Sequence, residues 1–334
     1  MAILPESPLS MLALGVIVVG IALTAWRRFP WTYSFAAIIL VVFVLQILAG
    51  PLRELCTYWG AMVGGRPIVH DCITFELGFR SPAFLSAQQW WSPLSATFVH
   101  GGLLHLIGNL IFLYIFGSRL EDRIGPTRFA AVFLLAGAAG ALATIPVVEL
   151  GVSPTLTLLA DILPTVGASG AIFGLIGVTI FLFPREMVPV PVPLGFIAIF
   201  VNMPAYLAGA AYLGFEVLRL FMNTNVAWWG HLGGFLLGAA MVPYLRARLV
   251  PAFRQRRPVD VERLRPLAAS HQAHEVLAQV ELLNQPRTRD DREFQEAWLE
   301  RFFGMAQCPA CGQKDLALRG SSAESACGYR VEFR

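Results

Sequence analysis

Ile162-Leu-Pro-Thr-Val-Gly167-Ala-Ser169-Gly170-Ala-Ile-Phe173-Gly174-Leu-Ile-Gly-Val-Thr-Ile-Phe-Leu-Phe-Pro184 contains no Asp, Glu, Lys or Arg. Its length suits one helical crossing of a bilayer, which takes about 20 apolar residues. Six further charge-free stretches flank it, at 7–26, 29–52, 81–118, 129–148, 187–215 and 220–245. Two of them need trimming. Pro189, Pro191 and Pro193 cannot donate helix hydrogen bonds, so the helix of 187–215 is expected from about Pro204 to Phe221, after extended interfacial chain. The stretch 81–118 is too long for one crossing, and its helix is expected to start near Thr97, after Trp90-Trp91, a pair suited to a membrane interface.

Charge agrees with this division. The 334 residues are 56% hydrophobic and 14% charged, with a mean hydropathy of +0.62, against roughly 25% charged in soluble domains. Residues 246–334 hold 27 of the charges and the first 245 only 20, so a soluble monomer is excluded. The N-terminal span follows Glu6 without a basic residue or an Ala-x-Ala site, and reads as a retained helix instead of a signal peptide. Arginines cluster after the first, third, fifth and seventh spans: Arg27-Arg28, Arg119 to Arg128, Arg185, and Arg246 to Arg257. The loops 149–165 and 222–226 have none. The positive-inside rule then puts the N-terminus outside, the long loop 53–96 outside and the C-terminal region in the cytoplasm. The Arg246–Arg257 cluster reads as a stop-transfer anchor on anionic lipid, not a nucleic-acid site.

Polar side chains at membrane depth are costly and therefore functional suspects. His100, His105 and Asn109 belong to the third span, Ser169 to the fifth and His231 to the seventh. All three helices run the same way, so these groups fall at similar depth. His105 and Asn109, four residues apart, share a helix face. Singly, each has a plain structural reading. Gly167, Gly170, Gly174 and Gly230, Gly234, Gly238 have the spacing of close helix packing, a serine can bond its own backbone, and a histidine beside Trp228-Trp229 can be an interfacial anchor. Together they supply a hydroxyl nucleophile, an imidazole base and oxyanion donors. No Asp or Glu lies in the spans carrying them, so the expected unit is a Ser–His dyad and not a triad.

The motifs His100-Gly-Gly-Leu-Leu-His105-Leu-Ile-Gly-Asn109, Gly117-Ser-Arg-Leu-Glu121-Asp-Arg-Ile-Gly125, Gly167-Ala-Ser169-Gly-Ala-Ile-Phe-Gly174 and His231-Leu-Gly-Gly234-Phe-Leu-Leu-Gly238 together resemble the rhomboid intramembrane serine proteases. The resemblance implies an all-α polytopic fold with a six-helix core over 29–248, preceded by an extra transmembrane helix at 1–28. It implies Ser169 as nucleophile, His231 as general base, and His105, Asn109 and the Ser169 backbone N–H as oxyanion donors. Gly167 allows close approach, Phe173 stacks on the histidine, and His100 organises the neighbourhood or is a satisfied loop residue. The substrates implied are transmembrane proteins, entering from the bilayer between the helices 97–117 and 204–221 and cut near the outer surface. No cofactor is implied. Many relatives carry Trp-Arg where this chain has Trp91-Ser92, which bears on a loop contact. The outer loop should lie in the outer leaflet on Phe84, Leu85, Trp90 and Trp91. The chain is accordingly expected in a bacterial cytoplasmic membrane. Two rivals remain: an inactive rhomboid-like client binder, whose usual sign is loss of the Ser or His, and a transporter relaying protons through His105 and His231, which would not depend on Ser169.

Cys56 and Cys72 fall in the outer loop and are either a disulfide or two buried thiols. The cytoplasmic region 249–334 divides into two parts. Residues 267–303 read as two amphipathic helices broken near Pro286, with Val276, Leu277, Val280 and Leu283 on one face and Phe294, Trp298 and Phe302 on the other. This reads as a solvated tail or a docking hairpin. Cys308-Pro-Ala-Cys311-Gly followed by Cys327-Gly resembles a zinc ribbon whose fourth cysteine is replaced by Glu324. It is expected to be degenerate and metal-free, with Cys308, Cys311 and Cys327 the candidate ligands if zinc binds.

Overall fold

The computed structural model describes residues 4–52, 54, 62–63, 66–67, 71–151, 163–194, 197–221, 228–246, 259–282, 284, 289–314, 316–319 and 322–333. The chain separates into two units, Met1–Val250 and Pro251–Arg334.

A helix occupies part of each charge-free stretch in the first unit: α1 Pro8–Arg27, α2 Trp31–Ala49, α3 Leu103–Ile124, α4 Pro126–Leu142, α5 Ser169–Leu182, α6 Ala205–Phe221 and α7 Trp228–Arg246. Among the described residues α1, α2, α3 and the run Pro126–Glu149 are long and apolar enough to cross a membrane. The protein is an integral membrane protein. The expected start of the third helix is corrected. Residues Ser92–Ser95 and Ala96–Phe98 form two short helical turns, and regular helix begins only at Leu103, after Gly102 with φ +157°. Near its middle α3 widens over Leu113–Gly117 into a π-turn.

The all-α expectation is also corrected, because Met187–Leu194 (β1) pairs antiparallel with Ile197–Pro204 (β2). Pro189, Pro191 and Pro193 face Asn202, Phe200 and Ala198. Three prolines at alternate positions fit a ladder only where the pairs exchange no hydrogen bonds, so Val188, Val190 and Val192 carry the bonding. The proline stretch is extended, as expected, and the partner strand Ile197–Pro204 is what the sequence reading did not include.

Helix α5 is buried along most of its length, and α4 and α7 lie against it. Glycine sets the spacing. A Cβ at Gly234 would collide with the carbonyl oxygen of Gly170, and one at Gly238 with that of Gly174. The two backbones therefore touch, and dispersion over that contact replaces a hydrophobic drive that lipid does not supply.

Glu121 fastens α3 to α2. Its carboxylate accepts from the backbone N–H of Trp31 at 2.6 Å and of Thr32 at 2.9 Å, and from the Thr32 hydroxyl at 2.8 Å. Those N–H groups are the unsatisfied start of α2, where a negative charge also meets the positive end of the helix dipole. Glu76 likewise accepts from the backbone N–H and the hydroxyl of Ser7, just before α1.

The long loop 53–96 contributes short helices at Cys72–Leu77 and Ser81–Leu85. Trp91 is buried and its ring N–H donates to the Glu76 carbonyl, while Trp90 and Leu85 are exposed. Ser92 bonds the Gln89 carbonyl at 2.7 Å. Cys72 is disulfide-bonded, and its expected partner Cys56 lies outside the described residues.

In the second unit, His271–Leu282 (α8) and Arg289–Phe303 (α9) pack through Val276, Leu277, Val280, Leu299 and Phe302. Leu283 and Pro286 lie outside the described residues. A three-stranded antiparallel sheet follows, of Ala317–Arg319 (β3), Ser322–Glu324 (β4) and Arg330–Glu332 (β5). Cys308 is buried in this unit's core, and Cys311 and Cys327 are exposed thiols. Hydrogen bonding, first from the Ser325 hydroxyl, holds the Cys327 thiol below its ordinary range, at about 7.

Candidate active site

Ser169 is the first residue of α5, not a mid-helix position. The chain reaches it through Gly167 at φ +119°, a conformation that disfavours a side chain. A Cβ there would also stand 2.7 Å from the His105 ring. The Gly167 N–H donates to the Ala96 carbonyl at 2.9 Å, pinning the entry. The first N–H groups of α5 have no intrahelical acceptor, and the helix dipole makes this end electropositive. A developing oxyanion beside Ser169 would meet that end.

His231 stands in the first turn of α7, and its Nε2 lies 2.8 Å from Ser169 Oγ across 62 residues of sequence. The Phe173 ring, one turn beyond Ser169, stacks on the imidazole at 4.5 Å with the planes 6° apart. The backbone contact of α5 and α7 makes this reach possible.

The imidazole's other nitrogen contradicts the reading that no carboxylate is available. Glu216 of α6 is buried, and its Oε2 lies 3.0 Å from His231 Nδ1. The approach meets ion-pair distance without the alignment of a hydrogen bond. It favours the tautomer with the proton on Nδ1, leaving Nε2 to accept from the serine hydroxyl. The signal was present in the sequence, since the helix expected over 204–221 contains a lone Glu. That Glu lies outside the three helices bearing Ser169, His231 and the His105/Asn109 pair, to which the dyad expectation was confined.

The other predicted residues are distributed less simply. His105 packs against Gly167, and its Nδ1 accepts from the Gly101 N–H at 3.4 Å. Asn109 is buried, and its amide donates to the His105 carbonyl at 2.9 Å, one turn back on its own helix. One of its two N–H groups is thus engaged away from the serine. His100 is buried with its ring 5.2 Å from that of His105. Its backbone N–H and carbonyl are both held by the Gln46 amide, so it belongs to the link between α2 and the loop before α3.

Residues 87–248 match the rhomboid domain family model. The chain is 32% identical over 155 residues to the Bacillus subtilis rhomboid protein YdcA, covering 45% of this chain and 66% of that one. This chain belongs to the rhomboid family. The rhomboid protease GluP of Bacillus subtilis is 28% identical over 214 residues, covering 63% of this chain and 34% of its own. Rhomboid protein 1, mitochondrial, of Saccharomyces cerevisiae is 30% identical over 169 residues, covering 50% and 44%. The rhomboid segment thus spans about a third to two thirds of the length of these relatives. Ser169, His231, Phe173 and Glu216 all lie within the matched rhomboid domain.

Between α3 and α6, the helices flanking the expected entry route, the Tyr212 ring meets Phe112 edge-on at 5.1 Å and Phe116 at 6.2 Å. This aromatic cluster fills the interface there.

Proposed function

We propose that this rhomboid is an intramembrane serine endopeptidase that cleaves transmembrane substrates near the extracytoplasmic surface. The observation that carries the reading is the 2.8 Å contact between Ser169 Oγ and His231 Nε2, with the ring held between Phe173 and Glu216. Ser169 Oγ attacks the carbonyl carbon of the scissile peptide while its proton passes to His231 Nε2. The carbonyl oxygen becomes an oxyanion facing the Ser169 N–H, the His105 ring and the second N–H of Asn109. His231 then protonates the departing amine, and a water molecule activated by the same imidazole hydrolyses the acyl-enzyme. Glu216 acts through His231 as a positioning residue: it holds the Nδ1–H tautomer and offsets the imidazolium charge.

A six-helix core of α2 to α7, with α1 added, supports this reading. Under this reading the N-terminus lies outside and the C-terminal unit in the cytoplasm of a bacterial cell, an orientation in keeping with the arginine distribution. The substrate enters from the lipid between α3 and α6, through the Phe112–Tyr212 contact, and must unwind locally because helical peptide bonds are shielded. Helix-weakening residues near the outer surface would favour cleavage.

The test is labelling of detergent-solubilised protein with a fluorophosphonate serine-hydrolase probe, alongside cleavage of a model transmembrane substrate. Ser169→Ala and His231→Ala should each lower cleavage by more than about 10³-fold and abolish labelling. Equal labelling of wild type and both variants would refute the assignment. A wild type that binds substrate without cutting it would favour the inactive client binder.

A further inference from the structure

The C-terminal unit brings three thiols together with no role in peptide hydrolysis. The Sγ atoms of Cys308, Cys311 and Cys327 all lie within 4.8 Å of one another, and Cys308 Sγ is 3.5 Å from Cys327 Sγ. Four thiolates around zinc at about 2.3 Å would place sulfurs about 3.8 Å apart. The cluster is therefore at coordination spacing.

Two similar turns build it. In the first, the Gly312 N–H donates to the Cys308 carbonyl at 2.7 Å, the Cys308 N–H donates to the Gln313 carbonyl at 2.9 Å, and Gly312 has φ +74°. In the second, the Gly328 N–H donates to the Ser325 carbonyl and the Ser325 N–H to the Tyr329 carbonyl, both at 2.9 Å, and Gly328 has φ +87°. Each turn has glycine directly after its exposed cysteine. The strands β4 and β5 flank the second turn, and Cys308 roots the first in the core.

Sequence spacing put Glu324 in the fourth position, but among the described residues no carboxylate joins the cluster. The oxygen at the sulfurs is that of Ser325, 3.4 Å from Cys327 Sγ and 3.8 Å from Cys311 Sγ. We infer that Cys308, Cys311 and Cys327 bind one Zn²⁺ ion as thiolates, with the fourth position on the Ser325 side taken by that hydroxyl or by water. Binding displaces the protons of the thiols and locks the two turns together. The bound ion ties the sheet to the end of α9. On the reducing, cytoplasmic side assigned by the arginine count, thiols persist and a Cys308–Cys327 disulfide does not compete.

The test uses the full chain purified in detergent from zinc-supplemented medium without chelator. About one zinc per chain is expected by elemental analysis, and Cys308→Ser, Cys311→Ser and Cys327→Ser should each retain less than about a tenth of it. Reconstitution of the wild type with Co²⁺ should give thiolate-to-metal charge-transfer absorption, which does not depend on variants folding. Ser325→Cys completes a four-thiolate set and should slow zinc transfer to a competing chelator by at least about tenfold. A metal-free wild type that takes up neither Zn²⁺ nor Co²⁺ would overturn the site, as would zinc undiminished in the cysteine variants or a Cys308–Cys327 disulfide by mass spectrometry. Unchanged zinc release from Ser325→Cys would overturn the assigned fourth position.

Discussion

In the membrane unit the reacting groups are 62 residues apart and meet because α5 and α7 touch backbone to backbone, whereas Cys308 and Cys327 are 19 apart and meet across turns of a small sheet. The first arrangement is fixed by packing, through glycines whose missing side chains define one helix separation. The second is fixed by local turn geometry, and its thiols, two of them exposed, gain most from a shared ligand. A rigid site can react without being closed by a metal, while a shallow one needs its ligand to become rigid.

The most damaging challenge to this contrast is Gly234→Leu, which drives a side chain into the Gly170 carbonyl. It should destabilise the membrane unit by more than about 4 kcal/mol and abolish probe labelling with Ser169 and His231 intact. Thermal aggregation in detergent reads the first effect. Retained labelling at wild-type temperature would show that packing does not fix the site. Glu121→Ala comes next. It leaves the α2 N-terminal N–H groups without their carboxylate and should cost about 2–4 kcal/mol in the same assay, because each lost bond involved a charged acceptor.

Glu216→Gln sharpens the contrast from inside the site. Cleavage should fall about 10- to 100-fold in kcat with KM little changed, since the imidazolium formed in the transition state loses its counter-charge. A change in KM alone would mean that Glu216 serves only the packing of α6. The smallest effect belongs to Ser325→Ala in chelator-treated protein. Removing the hydroxyl that favours the thiolate should move half-maximal Cys327 alkylation upward from about pH 7 by less than about one unit.

Much of this was legible in the residues. The seven charge-free stretches mark helices because the lipid solvent leaves charge almost nowhere to go. Ser169 and His231 stood out as polar groups among glycines at helical spacing, and Phe173 came only with the family resemblance. Glu216 was passed over because its partner lies on another helix, and only the packing of α6 beside α7 shows which way it faces. The β1–β2 pairing was missed for a similar reason: proline argues against helix, but pairing is a relation with residues further along the chain. The start of α3 at Leu103 depended on Gly102, whose backbone conformation no hydrophobicity pattern reports.

The proline ladder has a consequence beyond shape. With Pro189, Pro191 and Pro193 at non-bonded pairs, the outward side of β1 offers carbonyls but no N–H where those residues stand. An extended peptide cannot zip onto an edge of that kind. The strand pair stands at the arginine-bearing end of α3, where Arg119 reaches the Met187 carbonyl, so an edge unable to recruit loose chain guards the side of the protein remote from the serine against pairing between copies.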